Sequence, residues 1–512
     1  MGLLGRRLRR FFRFASPPAP GAVVIEEGYS SNLASMKDPN ALATSLAIAA
    51  LPKDALDLGK RFAQEGFKLA LVGGSVRDAI LGRLGSDLDF TTDAHPDQSK
   101  KILKNWGEAL WETGRDFGTI AAQLGGVTVE VTTYRREKYD PTSRKPVVEF
   151  GSDIEMDLSR RDFTVNAMAL ELTTPEPKFI DLFGGVSDLA KKVLRTPIDA
   201  EELFTEDPLR MMRAARFCSQ LEFTVDPTIV TAINKLAPRM EIISAERIHD
   251  ELVKLIMGTA PRLGLTLLVE TGLAEHVLPE IPKLKLEVDE HHHHKDVYEH
   301  TLKVLEQAIA LEDRLGGPNL VIRLAALLHD IGKPKTRELI PGGGVSFHHH
   351  EVVGSKMAKE RLKALRFSNE IVSDVSKLVF LHLRFHGYGN GEWTDSAVRR
   401  YVRDAGELLT HLHVLTRADC TTRNAKKAAN LAATYDALEA RITALKAQEE
   451  LDAIRPDLDG KAIMDILGIK PSPLVGKAYD YLLELRLEHG PLGEEKAKAE
   501  LLNWWKENAP KT

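Results

Sequence analysis

Apolar and polar positions along this chain follow two periods, and the change falls near residue 180. Leu69-Ala-Leu-Val72 is a continuous apolar run that stops at Gly73-Gly74, the pattern of a buried strand. Asp87-Leu-Asp-Phe90 alternates with period two, predicting a second strand with Leu88 in the core and both aspartates on the other face. Gly118–Leu124 and Val127–Val131 predict a hairpin closed by Gly125-Gly126, and Leu56, Leu58, Phe62 and Ala63 predict an amphipathic helix over 52–66. This mixed segment extends to about Thr174. Beyond about Asp181 strand signals nearly vanish, and leucine and alanine recur at helical spacing to the C-terminus. The predicted class is α+β: a small mixed-sheet head followed by an all-α body.

The head carries the first chemistry. A glycine pair lets a backbone approach phosphates, and Gly73-Gly-Ser-Val-Arg77-Asp78 is followed by Asp87 and Asp89. Two hard oxygen ligands on one strand face suit magnesium holding a nucleoside triphosphate for in-line attack at phosphorus. Taken together these motifs resemble the DNA polymerase β-like nucleotidyltransferases, and more narrowly the class II group containing CCA-adding tRNA nucleotidyltransferases and bacterial poly(A) polymerases. The resemblance implies that Asp87 and Asp89 are catalytic and bind Mg2+, and that Gly73, Gly74 and Arg77 cradle phosphates. Glu130, in Val129-Glu-Val131, either completes the acidic trio or is a surface glutamate.

Further along, Arg160 and Arg161 offer guanidinium forks for phosphate, and Asp162 and Asn166 offer hydrogen bonds to a ribose hydroxyl. A capped helix start with Asp162 as N-cap is compatible with the same residues. In the resembled group this motif selects ribonucleotides, and Asp181-Leu-Phe-Gly-Gly185 matches its linker from head to neck. Glu206-Asp207-Pro208-Leu-Arg210, continuing to Arg213, places acids and Pro208 at a helix start with Asp207 and Arg210 three apart, sufficient for internal ion pairs. The resemblance implies more: Asp207 and Arg210, with Arg213 beside them, act as a protein template pairing with incoming CTP or ATP. Tyr134–Phe150 is charged and broken by prolines, and reads as a loop. Its Glu137, Tyr139, Arg144 and Pro146 resemble the group's flexible loop for the final A. Glu246 and Arg247 lie in a stretch matching a helix that braces the neck and are expected to be structural.

Histidine forms the other anomaly, with 17 in the chain and many beyond residue 290, including the run His291–His294. His329-Asp330 after the apolar run to Leu328, with Gly332-Lys-Pro334 following, resembles the HD phosphohydrolases, an all-helical superfamily. The order His300, His329, Asp330, His350, His382, Asp419 matches its two-metal variant. His350 is preferred to His348 and His349 because Glu351 and Gly354 follow it as in that superfamily. Imidazole and carboxylate ligands admit Mg2+, Mn2+, Ni2+ or Zn2+ and do not choose among them. Such a site would activate water against a phosphoester.

Length and charge frame these motifs. At 512 residues the chain is too long for one core. The expected organisation is a poorly ordered basic extension (1–50), a nucleotidyltransferase head (51–175), a helical neck and body (176–285), an HD domain (286–440) and a helical tail (441–512). A net charge of −5 excludes a polycation, so nucleic acid must be met by local basic surfaces. Cys218 and Cys420 fit neither zinc nor disulfide spacing, and no apolar run approaches membrane-spanning length, which points to the cytoplasm with no membrane and no obligate protein partner. The expected activity is addition of CCA to tRNA from CTP and ATP, with an accessory phosphodiesterase or phosphatase. Poly(A) polymerase is the nearest alternative. A protein-modifying uridylyltransferase lacks the Arg-Arg-Asp-Phe-Thr-Val-Asn segment, and a non-catalytic RNA-binding module would have eroded carboxylates.

Overall fold

A computed structural model describes residues 39–138, 147–151, 153–286, 297–341, 345–385, 393–422, 424–449 and 454–509. The chain divides into two compact units, residues 1–277 and 278–512.

In the first unit two helices lead the sheet, α1 (Pro39–Ala50) and α2 (Lys53–Gln64). Helix α1 lies within the stretch expected to be poorly ordered. The reason it is ordered is burial: Ala43 and Ala47 are fully enclosed, small enough to let the helix pack closely. Strand β1 (Leu69–Val72) runs through Gly73-Gly74 into the short helix α3 (Gly74–Ile80). There follow β2 (Asp87–Thr92), β3 (Ala109–Trp111), β4 (Thr119–Leu124) and β5 (Val127–Thr133), then the ribbon β6 (Arg135–Lys138) with β7 (Val147–Phe150), and β8 (Ala169–Glu171) and β9 (Lys178–Ile180). The sheet order is β3-β4-β5-β2-β1-β8-β9. Every pairing in it is antiparallel except β2 with β5. Part of the segment read as a loop is therefore paired strand: Glu137 lies on β6 opposite Val148. Tyr139 and Arg144 lie outside the described residues.

Helices follow. Helix α4 (Leu209–Leu221) packs against α5 (Ala245–Ile256) and a helix at Pro261–Glu270. A Cβ on Gly264 would stand 2.4 Å from the Ala215 carbonyl oxygen, so glycine permits this close approach.

The second unit is helical apart from a short antiparallel ribbon, Glu338–Leu339 with Val345–Ser346. Its core is built by α6 (Val297–Ile309), α7 (Leu320–Leu328), α8 (His350–Ala364), α9 (Asn369–Leu381) and α10 (Leu409–Ala418), and the long α11 (Ala425–Gln448) follows. Helices α12 (Gly460–Leu467), α13 (Pro473–His489) and α14 (Glu494–Asn508) form a small cluster around Ile463, Leu482 and Leu501. Among the described residues no helix is long and apolar enough to cross a membrane.

Candidate nucleotide cleft and histidine–aspartate centre

Strand β2 is held in place by packing below and by a hydroxyl above. Leu88 and Phe90 are buried, while Asp87 and Asp89 face solvent. The parallel register sets Asp89 opposite Glu130 and Asp87 opposite Thr128. The dense surroundings of Asp89, then the Glu130 and Asp87 carboxylates, push its carboxyl up to about 6. A cluster of acids that resists its own ionisation fits a divalent cation bound between them. Ser75, not singled out from the sequence, accepts the Asp89 amide on its Oγ at 3.0 Å and so fixes β2 to the glycine turn. Gly73 has φ +68°, a backbone conformation that favours glycine, and the Arg161 guanidinium stands 2.8 Å from where a Cβ would lie.

Gly73, Gly74, Arg77 and Asp89 line a cleft of about 570 Å³ together with Arg160, Arg161, Asp162, Asn166, Asp207, Arg210 and Arg213. The predicted nucleotide-binding residues thus converge. Asp87 and Glu130 stand beside Asp89 rather than on this lining. Arg135, Arg216, Phe217, Gln220 and Arg247 also line the cleft and were not among the predicted binding residues.

Hydrogen bonds join these residues into one network. Arg77 donates to Asn166 Oδ1 at 2.6 Å, Asn166 donates to Asp162 Oδ1 at 3.0 Å, and Arg213 Nε donates to Asp162 Oδ2 at 2.7 Å. Burial would raise the Asp162 carboxyl, but Arg213 and the Asn166 amide hold it down at about 2. Asp162 is therefore occupied by Arg213 and does not cap a helix. Only a short 3₁₀ turn at Thr164–Asn166 follows it, and Phe163, Val165 and Met168 are fully buried. Asp157, also missed in the sequence, is fully buried and takes Arg160 at 2.6 Å and Arg161 at 3.1 Å on its two oxygens. Three guanidiniums approach the Phe217 ring, that of Arg216 at 4.2 Å.

Asp207 and Arg210 are partly engaged. Asp207 accepts from the Leu209 amide at 3.1 Å and from Arg247 at 2.9 Å. Arg247, expected to be structural only, thus also touches a predicted template residue. Arg210 donates from Nη1 to the Leu203 carbonyl at 3.0 Å and to Glu206 at 3.2 Å, and from Nη2 to the Arg160 carbonyl at 2.7 Å. Its Nε–H and one Nη2 hydrogen stay uncommitted by these bonds, and the Asp207 carboxylate keeps acceptor capacity.

In the second unit His300, His329 and Asp419 form one group of ligand atoms, and Asp330, His350 and His382 another. All but His300, which lies within α6, come from helix ends: His350 opens α8, while His329, His382 and Asp419 close α7, α9 and α10. Asp330 spans the groups, with Oδ2 at 3.1 Å from His329 Nε2 and Oδ1 at 3.4 Å from His350 Nε2. His329, His350 and His382 each bring Nδ1 to the carbonyl three residues earlier, at 2.8, 2.8 and 2.6 Å. A carbonyl only accepts, so Nδ1 carries the proton and Nε2 presents a lone pair. Burial works against charge on His329, but Asp330 and Asp419 outweigh it and push the ring up to about 9, so a cation bound at Nε2 would take the place of a second proton there. Burial and the neighbouring His329 push His382 down to about 3. Asp330 and Asp419 are both held well below the usual carboxylate range. Nitrogen and oxygen donors converging from two sides of one carboxylate fit two divalent cations. Lys333 Nζ reaches Asp330 Oδ2 at 2.9 Å, and Thr421 Oγ1 lies 3.0 Å from His300 Nδ1. His348 and His349 are exposed, and His291–His294 lie outside the described residues.

The fold and the cleft define a nucleotide-transferring head with an appended histidine–aspartate unit. Family models agree: a poly A polymerase head domain matches residues 69–195, a region described as "Probable RNA and SrmB- binding site of polymerase A" matches 222–284, and an HD domain matches 297–424. The A-adding tRNA nucleotidyltransferase of Deinococcus radiodurans is 32% identical over 452 residues, covering 86% of this chain and 96% of that one. The CCA-adding enzyme of Levilactobacillus brevis is 40% identical over 227 residues, 44% of this chain and 55% of that one. The chain belongs to the tRNA nucleotidyltransferase family. Its structure also resembles the crystal structure of Bacillus stearothermophilus CCA-adding enzyme in complex with CTP, with a TM-score of 0.64 and 25% identity, covering 89% of this chain and 98% of that one.

Proposed function

We propose that this enzyme adds C and A to the 3′ end of tRNA from CTP and ATP, without a nucleic-acid template. The observation that carries the proposal is the single cleft holding Asp89, the arginines and the Asp207–Arg210 pair. Asp87, Asp89 and Glu130 would hold Mg2+, which neutralises triphosphate charge and acidifies the attacking 3′-hydroxyl when bound. Gly73, Gly74, Arg77 and Arg161 bind the triphosphate, with Arg77 aimed by Asn166. Asp162 acts through Arg213 and Asn166, aligning them beside the sugar. Asp207 accepts from an exocyclic amine while the free Arg210 hydrogens donate to a ring nitrogen or carbonyl, which suits C and A and disfavours U and G.

A second reading is A addition alone, favoured by the near full-length match to an A-adding relative. Transcripts ending before C, after CC and after CCA, incubated with labelled CTP and ATP singly and together, decide. Growth that stops at CCA supports the first reading. Incorporation of A onto CC ends only supports the second, and long A tails overturn both in favour of poly(A) synthesis.

For the histidine–aspartate centre we propose metal-dependent hydrolysis of a phosphoester. His300, His329 and Asp419 would hold one divalent ion, His350 and His382 a second, with Asp330 shared. Such ions supply a hydroxide nucleophile near neutral pH. Bis(p-nitrophenyl) phosphate assayed with Mg2+, Mn2+ and Ni2+ tests this, and no turnover with any of them would sink it.

A further inference from the structure

The two ligand groups of the second unit are held by different means. His329, His350 and His382 stand at helix ends, each with its Nδ1 on the carbonyl three residues earlier. His300 stands inside α6, where the neighbouring carbonyls serve the helix's own bonds. Its Nδ1 meets instead the hydroxyl of Thr421, 3.0 Å away and 121 residues further along the chain. That hydroxyl can accept the Nδ1 proton, which leaves an Nε2 lone pair 3.0 Å from Asp419 Oδ1.

Asp419 depends on the same short segment. It follows the last residue of α10, where carbonyls have no partner within the helix. Gln307 of α6 reaches across and donates its side-chain amide to the Ala418 and Cys420 carbonyls, one on either side of Asp419, the latter at 3.1 Å. Gln307 lies seven residues beyond His300, about two turns, so the ligand and the clamp share one face of α6. A bare helix end would leave the Asp419 carboxylate free to swing. Gripped on both sides, it is aimed at the His300 ring, which the Thr421 hydroxyl aims in return.

We infer that Gln307 and Thr421 are positioning residues for one of the two cation positions, the one offered by His300, His329 and Asp419. The position at His350 and His382 is set by the helix ends that carry those rings. The inference rests on the reading of this centre as a two-metal site and names what builds one half of it.

The test compares full-length wild-type protein with Gln307→Met, Thr421→Val and Thr421→Ser. Each is stripped of metal and titrated with Co2+, and visible absorption with elemental analysis counts the ions bound. Far-ultraviolet circular dichroism identifies any variant that fails to fold, and the other position then decides. Wild type should take up close to two ions. Gln307→Met and Thr421→Val should bind one ion as wild type does and the other about 10- to 100-fold more weakly, the usual cost of removing a group that orients a ligand. Thr421→Ser, which keeps the hydroxyl, should bind both as wild type does. Hydrolysis of bis(p-nitrophenyl) phosphate by the two weakened variants should return when Co2+ is raised by the same factor. Equal weakening of both ions, or weakening of neither, overturns the inference and leaves the two-metal reading intact. If wild type takes up no ion, that reading fails and the inference falls with it.

Discussion

The two candidate metal centres of this chain are built by opposite means. In the head, carboxylates stand on adjacent parallel strands at an open cleft, and guanidiniums surround them. In the second unit, six ligands come from helices spread over residues 300–419, and His329, Asp330, His350 and His382 are almost wholly buried. Hard oxygens open to water suit an ion that arrives with its nucleotide and leaves with pyrophosphate. Imidazoles with Nδ1 locked on carbonyls suit a resident ion. Surrounding the first site with arginine makes it a polyanion trap, whereas among the described residues the second has a single lysine, Lys333, on its shared carboxylate.

The largest expected effect separates the centres by activity. Asp89→Ala should lower nucleotide incorporation by roughly a thousandfold, the several kcal/mol that metal charge stabilisation supplies, and leave nitrophenyl hydrolysis intact. Asp330→Ala should do the reverse, because one carboxylate serves both ligand groups. If either variant abolished both activities, the two sites would not be independent.

Metal retention gives the next effect. After dialysis against a mild chelator, elemental analysis should find close to two transition-metal ions per chain, held by the two ligand groups, with incorporation restored by added Mg2+ alone. Asp330→Ala should lose both ions and Asp89→Ala neither. Retention of one ion in wild type would reduce the centre to a mononuclear site.

The same contrast explains what could be read from sequence. In the head, residues two apart on a strand share a face, so Asp87 and Asp89 were legible locally, and Leu69–Val72 emerged with the expected bounds. The ligand set of the second unit was legible only by resemblance, since no local period links His300 to Asp419. Least legible were residues that act through others. Ser75 sits in a motif read for its glycines and arginine, Arg247 in a stretch read as structural and Asp157 in none, and their roles exist only once β2, the 154–159 helix and α5 are in place. Helix α1 was missed because an alanine-rich segment has no strong amphipathic pattern, though its alanines let it pack closely.

A smaller effect, in stability, tests whether the cleft network is as rigid as its bonds suggest. The Asp162 pKa falls from about 3.8 to about 2 on folding, so its ionised form is the one the native state favours. That stabilisation, on the order of 2 kcal/mol, is present above pH 4 and lost as pH falls through 2. Asp162→Asn should be less stable than wild type at neutral pH, and the gap should close between pH 4 and pH 2, measured by chemical denaturation at each pH. A gap independent of pH would mean that the Arg213 pair contributes through shape rather than charge. The variant should also raise KM for CTP more than it lowers kcat, because Asp162 acts through Arg213 and Asn166.

The smallest effect probes how the head orients its carboxylates. The hydroxyl of Ser75 is the side-chain link from the glycine turn to the Asp89 amide. Removing it in Ser75→Ala leaves that amide without its partner, at a cost of about 1 kcal/mol in global stability. The consequence for catalysis should be larger than for folding, since a displaced Asp89 misplaces the ion and the 3′-hydroxyl together. Incorporation should fall about tenfold in kcat at saturating CTP, while KM changes little because the arginines that hold the triphosphate are untouched. Ser75→Thr, which retains the hydroxyl, should recover most of the rate. Among the described residues no counterpart hydroxyl holds Asp330, which instead meets His329, His350 and Lys333. An unchanged kcat in Ser75→Ala would show that β2 alone, through Leu88 and Phe90 packed beneath it, suffices to aim the carboxylates.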